Sequence, residues 1–211
     1  LQALYNVADM IIVGQFAGTL SMSGVNIGGQ VTMLINNTVF GLAAAATVLI
    51  GQYLGAGDRK SLKETIGTLF SFLLYLGLGL TVLMVALRGP ILRLIQTPEP
   101  SFDEAMRYLL VTTLGIVFIF GYNALSAVMR GMGDSKRPLY FIAIAAGTNV
   151  VLDLLLVAGL GWGAFGAGLA TVVSQALSML LCALYLRKRD FVFDFKLSSF
   201  KITRERLKVL L

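Results

Sequence analysis

The sequence predicts an all-α fold, a polytopic bundle of six membrane-spanning helices, and three observations carry that expectation. Hydrophobic residues fill 57% of the 211 positions and charged residues only 13%, with a mean hydropathy of +0.83, whereas an ordinary soluble domain carries about 25% charged residues. Apolar runs near the roughly 20 residues a spanning helix needs occur six times: Leu1–Phe16, Leu20–Tyr53, Leu62–Leu87, Phe102–Met129, Leu139–Leu160 and Ala164–Leu186. The charges are concentrated between these runs, so the chain buries its core against itself and lipid.

The first run is short, opens on Leu1, and has Asp9 already in mid-run. It is therefore expected to continue upstream. No basic n-region or small-residue cleavage site marks it as a signal peptide. The second run is long and polar in places, with Asn36, Asn37, Thr38 and Thr47. Ser61 to Glu64 and Ser101 to Glu104 fit the capping-box pattern and are expected to start the third and fourth helices, the latter just after the chain breakers Pro98 and Pro100. Pro138 suits the first turn of the fifth helix. Two loops look alike, Gly55 to Lys60 and Gly131 to Lys136. They read as glycine helix stops followed by charge, not as phosphate loops, because no Gly-Lys-Ser/Thr follows. The pairs Gly14/Gly18 and Gly24/Gly28 have helix-contact spacing. Glycines from Gly159 to Gly168 surround the turn between the fifth and sixth helices. The tail 190–211 alternates at Phe191, Phe193 and Phe195 and then turns basic. It reads as an interfacial linker leading towards a further segment.

Charge fixes the expected orientation. Fourteen of the seventeen Lys and Arg residues lie in the loops after the second and fourth runs and in the tail. The opposite side has Arg88, Arg93 and Arg107, set against Glu99, Asp103 and Glu104. Basic loops face the cytoplasm, so a multi-pass protein of the cell membrane with a cytoplasmic tail is expected. The net charge of +6 then reflects topology and membrane lipid, and no basic patch interleaved with aromatics points to nucleic acid. The single cysteine, Cys182, excludes an internal disulfide. The absence of histidine excludes a histidine proton relay or a histidine-ligated zinc. No nucleophile–base pair is visible, so an enzyme is not expected.

Asp9 and Asp153 are the informative residues. They are the two acids deep within apolar runs, every other acid lying in a loop, at a helix end or in the tail, and no Lys or Arg shares the runs of these two to neutralise them. An acid at bilayer depth is expensive and is a functional hypothesis by default; the alternative for each alone is a helix-interface hydrogen bond. At ~1.5 Å rise per residue, Asp9, Asp153, Thr171 and Tyr108 all come ~10 Å below the outer surface. Asn149, four residues before Asp153, shares its helix face. Such a layer can hold a proton, or supply oxygens to a sodium ion held between Asp9 and Asp153. Depth does not fix azimuth, so a scattered arrangement stays open. Asn36, Asn123 and Ser126 are weaker candidates for lining a substrate cavity.

Several of these stretches resemble a known family. Tyr5 to Asp9 followed by Val13 to Gln15, Gly51 to Asp58, Met129 to Asp134, Asn149 to Asp153, and Gly163 to Gly168 with Thr171 are similar, in order, to the multidrug and toxic compound extrusion (MATE) transporters, nearest the prokaryotic branch with an acidic N-terminal lobe. The resemblance implies two six-helix lobes facing a central cavity, with this chain as the first. It places the first-helix aspartate on Asp9, the fifth-helix pair on Asn149 and Asp153, the sixth-helix threonine on Thr171 and the fourth-helix tyrosine on Tyr108. It implies a cation-coupled antiporter, driven by H+ or Na+ and needing no other cofactor, that exports organic cations and amphipathic drugs with a second lobe or a second copy as partner. The alternative is a flippase for lipid-linked precursors. Its pyrophosphate would need cavity Arg or Lys, which the spans lack away from their ends. A non-transporting membrane scaffold is a third reading.

Overall fold

The computed structural model describes residues 2–188, 193 and 199–210, with side chains from residue 7. The described chain is helical almost throughout: α1 (Gln2–Phe16), α2 (Gly18–Gly55), α3 (Arg59–Leu94), α4 (Glu99–Leu114), α5 (Ile116–Gly131), α6 (Lys136–Asp153) running into a π-helical turn (Leu154–Gly159), α7 (Gly163–Lys188) and a short α8 (Arg204–Leu210). Four of these are long and apolar enough to cross a membrane. Taken together as one span, α4 and α5 would make a fifth, with a 46° bend between them, and α1 contributes a shorter apolar helix, Val7–Phe16. The six sequence segments therefore correspond to six helical segments in the same order.

Local chemistry accounts for the boundaries. α2 and α5 stop where Gly57 and Gly133 take φ of +71° and +88°, a left-handed conformation that costs glycine little. The expected capping boxes are corrected. α3 starts three residues earlier than its box implied, because Asp58 rather than Ser61 is the N-cap and accepts a 3.0 Å hydrogen bond from the Ser61 amide. α4 starts at Glu99 after Pro98, without a side-chain cap; Glu104 is used elsewhere. α3 also continues past Leu87, through Pro90, to Leu94. The bend between α4 and α5 falls at Gly115, where a Cβ would collide with Val172 of α7; glycine is a recognised cause of such kinks.

The main core gathers side chains of α2, α3, α5 and α7 around Ile50, Ile66, Phe120 and Met129. Contact glycines bring α2 against α4: a Cβ on Gly24 would lie 2.7 Å from Glu104 Cβ and 2.8 Å from the Ala105 amide nitrogen, and one on Gly28 would lie 2.6 Å from the Tyr108 ring. Of the other pair, Gly14 packs on Met22, but Gly18 has open space and φ +82° and turns the chain instead.

The described part of the tail is docked. Thr68 accepts from the Thr203 amide at 3.1 Å, and Arg206 reaches Glu64, Tyr53 and Ser61 at 3.2, 3.0 and 2.7 Å. Phe193 and Phe200 pack on Phe70. The alternation at Phe191 and Phe195 lies outside the described residues, as do the side chains of Tyr5 and Asn6.

Candidate functional site

Asp9 of α1 and Asp153 at the end of α6 face each other within hydrogen-bonding reach. Both are buried, as is Asn149 one turn before Asp153, which has no exposed surface. Among the described residues nothing donates a hydrogen bond to Asp9 Oδ1, to either oxygen of Asp153, or to Asn149 Oδ1, and nothing accepts from Asn149 Nδ2. Buried polar atoms are normally paired, and each orphan calls for a reason. Here the pair lacks a donor because two ionised carboxylates offer only acceptors. One shared proton or one small cation would satisfy both. The α-helix gives way to the wider π-helical turn directly after Asp153, a local irregularity frequent at functional sites.

Beside the pair lies a cavity of about 410 Å³, walled by α1, α2, α4, α5 and α7. Asp9 and Met10 form its α1 side. Asn26, Gln30, Thr32, Asn36 and Asn37 give α2 a polar stripe. Tyr108 and Thr112 come from α4, and Thr171 and Gln175 from α7. No lining residue is Lys or Arg. Thr171 is half-buried and Tyr108 buried, its ring seated in the space left by Gly28.

The four residues read from depth, and Asn149 with them, thus divide. Asp9, Asn149 and Asp153 are buried along the α1–α6 contact, while Asp9, Tyr108 and Thr171 border the cavity. Asp9 alone belongs to both groups. Of the weaker candidates, Asn36 lines the cavity, with its Oδ1 unpaired. Asn123 and Ser126 do not and are corrected: both are buried in α5, Asn123 donating to the Ile119 carbonyl at 2.8 Å and Ser126 accepting from Arg130 one turn on. Thr38 and Thr47 likewise bond carbonyls of their own helix. Asn37, one of the polar residues noted in the second run, lines it too, whereas Asn26, Gln30, Thr32, Thr112 and Gln175 are not singled out by the sequence. The i, i+4, i+7, i+11 spacing of Asn26, Gln30, Met33 and Asn37 carries the signal for α2.

A second, larger cleft of about 670 Å³ opens beyond the α1–α2 turn, lined by Phe16, Ser21, Glu104, Arg107, Trp162 and Phe165 among others. It does not touch the carboxylate pair.

A helical membrane bundle that sets a buried carboxylate pair beside a largely apolar cavity edged with amides and hydroxyls fits one lobe of a transporter. A family model described as MatE matches residues 1–155, and the chain belongs to that family. It is 31% identical over 192 residues to a probable multidrug resistance protein, YpnP, of Bacillus subtilis (strain 168), covering 91% of this chain and 43% of that protein. With a second from the same organism, YoeA, it shares 31% identity over 213 residues, covering 99% and 45%. The solved structure of an inward-facing multidrug resistance MATE family transporter of the MOP superfamily superposes with a TM-score of 0.92 at 30% identity, covering 100% of this chain and 48% of that one. A MATE structure in a bent conformation gives a TM-score of 0.92 over 99% and 47%. The chain spans about half the length of the curated relatives it matches.

Proposed function

We propose that this chain forms the N-terminal lobe of an antiporter that exports organic cations and amphipathic drugs across the cell membrane, coupled to entry of H+ or Na+. The observation that carries this reading is that Asp9 belongs both to the unpaired carboxylate pair and to the cavity wall. Two facing carboxylates at bilayer depth without a basic partner are costly unless a cation is shared between them. With the coupling cation bound across Asp9 and Asp153, the cavity loses the negative charge that holds an organic cation. With that cation gone, Asp9 can serve the drug. Each ligand therefore weakens the other, which is the coupling an antiporter needs. The same two states differ in charge at the α1–α6 contact, which biases how those helices pack.

The lining, free of Lys and Arg among the described residues, supports cationic and neutral amphipathic substrates over a pyrophosphate-linked lipid. In this reading the loops at Gly57 and Gly133 and the α8 tail are cytoplasmic, and the Glu104 end faces outward.

The test uses the full transporter containing this chain, reconstituted in vesicles with a fluorescent organic cation. Imposed proton and sodium gradients are applied separately. D153N is expected to abolish coupled efflux under whichever gradient drives the wild type, and D9N to weaken it strongly. Wild-type efflux in both variants would place the coupling site elsewhere.

A further inference from the structure

We infer that Glu104 is a positioning residue that fixes the register of α2, α4 and α7 and thereby sets the cavity wall. Its Oε2 accepts from Ser21 Oγ of α2 at 2.9 Å and from the Ala164 amide at the N-terminus of α7 at 3.0 Å. One carboxylate oxygen therefore ties three helices at one end of the bundle. The Ala164 amide is one of the donors a helix start leaves without an intrahelical partner, and an anionic acceptor there gains from the helix dipole.

The clasp is the first rung of a ladder that ends in the cavity. On α4 the rungs are Glu104, Tyr108 and Thr112; on α2 they are Gly24, Gly28 and Thr32; on α7 they are Ala164, Gly168 and Val172. The spacing is one helical turn on every helix. In the second rung Tyr108 packs where a Gly28 Cβ would stand, and a Gly168 Cβ would lie 3.4 Å from the Tyr108 carbonyl oxygen. In the third rung the Thr112 and Thr32 hydroxyls are 3.4 Å apart. Tyr108, Thr112, Thr32 and Val172 line the cavity, and Thr171 precedes Val172. A slip of α7 against α2 at the clasp would move Thr171 and Tyr108 with it, because close-packed glycine contacts leave no slack between the rungs. Arg107, 3.7 Å from Glu104 Oε1, is two-thirds exposed and is a minor partner.

This inference rests on the proposed transport function only for its activity readout. The first measurement is independent of transport. Spin labels at T19C and F165C, both on exposed positions of α2 and α7, are placed in the full transporter with C182A, and their distance distribution is recorded by pulsed electron resonance. E104A is expected to broaden or shift it. E104Q keeps an acceptor oxygen for Ser21 and Ala164 and is expected to restore most of the wild-type distribution. The second measurement is dye efflux. E104A is expected to raise KM about tenfold with Vmax within about twofold, the scale of losing charge-assisted hydrogen bonds that position a site, and E104Q to recover most of the KM. Should E104A not accumulate, S21A, which removes one of the two donors, takes its place and is expected to show the same effects at smaller size. Unchanged distances and KM in the variant that is made would overturn the inference. If the wild type moves no probe at all, the transport reading fails, while the distance measurement still decides the clasp.

Discussion

The basic end of the bundle and its interior treat aspartate in opposite ways. At the basic end, Asp58 accepts from Ser61 and caps α3. Asp134 accepts from the Arg137 amide at 3.3 Å and from its guanidinium at 2.6 Å, with Tyr185 adding a longer bond at 3.4 Å. In the interior, Asp9 and Asp153 face each other, and among the described residues nothing donates to Asp9 Oδ1 or to either oxygen of Asp153. The first pair is satisfied and serves architecture. The second is held in a state that costs stability, which a fold retains where an added cation completes it. Stability and activity should therefore respond in opposite directions at the two places.

The largest expected effect is at the interior pair. D153N should lower coupled efflux about 100-fold or more, the scale of losing a group on which the coupled step depends. Its thermal midpoint in detergent should be no lower than wild type, because a neutral isostere replaces a buried unpaired charge. A variant that loses both stability and transport would make Asp153 a structural residue and remove the contrast.

Next in size is the α2–α4 seam. G24A forces a Cβ to within 2.7 Å of Glu104 Cβ and 2.8 Å of the Ala105 backbone, whereas Gly29 has nothing within 4 Å. G24A should cost about 1–3 kcal/mol, the range for overpacking, and G29A should be close to neutral on packing. Equal effects in thermal melts would mean the helices do not approach as closely as the ladder requires.

The cavity separates two asparagines that sequence reading could not. Asn36 lines it and Asn123 is spent on the Ile119 carbonyl. N36A should weaken dye affinity about 3–10-fold, the worth of one or so hydrogen bonds, and N123A should leave affinity alone while lowering the melting temperature. The reverse pattern would move the substrate to the α5 side.

The same pair shows where the sequence was legible. Spans, order, glycine stops and the acids out of place are all one-dimensional signals, and they match the helices found. Depth could be counted along each helix, so Asp9 and Asp153 were placed in one layer. Azimuth could not: Tyr108 and Thr171 share the depth of Asp153 but face the cavity rather than the pair. Asn123 carries the same side chain as Asn36, and only its packing inside α5 tells them apart. Glu104 was read as the end of a local capping box. Its partners, Ser21 and Ala164, are 83 and 60 residues away, a separation no local pattern encodes. The bend at Gly115 escaped notice because its cause, Val172, lies on another helix.

The smallest effect belongs to the basic end, and its sign sharpens the contrast. Burial works against the charge on Asp134, but hydrogen bonds from the Arg137 side chain and amide outweigh it and hold the carboxyl below the ordinary carboxylate range. A depressed folded value means the charged form is the stabilised one. The contribution is fully present above the unfolded value of about 3.9 and is lost as pH falls through the folded value. D134N should therefore lower the melting temperature by about 2 °C, in keeping with a partly exposed ion pair. That gap should be constant between about pH 5 and 8 and close below about pH 4. Dye efflux should be unchanged across the neutral range, since the pair joins the loop after α5 to the first turn of α6 and neither residue lines the cavity. A D134N protein with wild-type melting but altered efflux would show that the basic end takes part in transport, and the division between satisfied and unsatisfied aspartates would no longer sort structure from function.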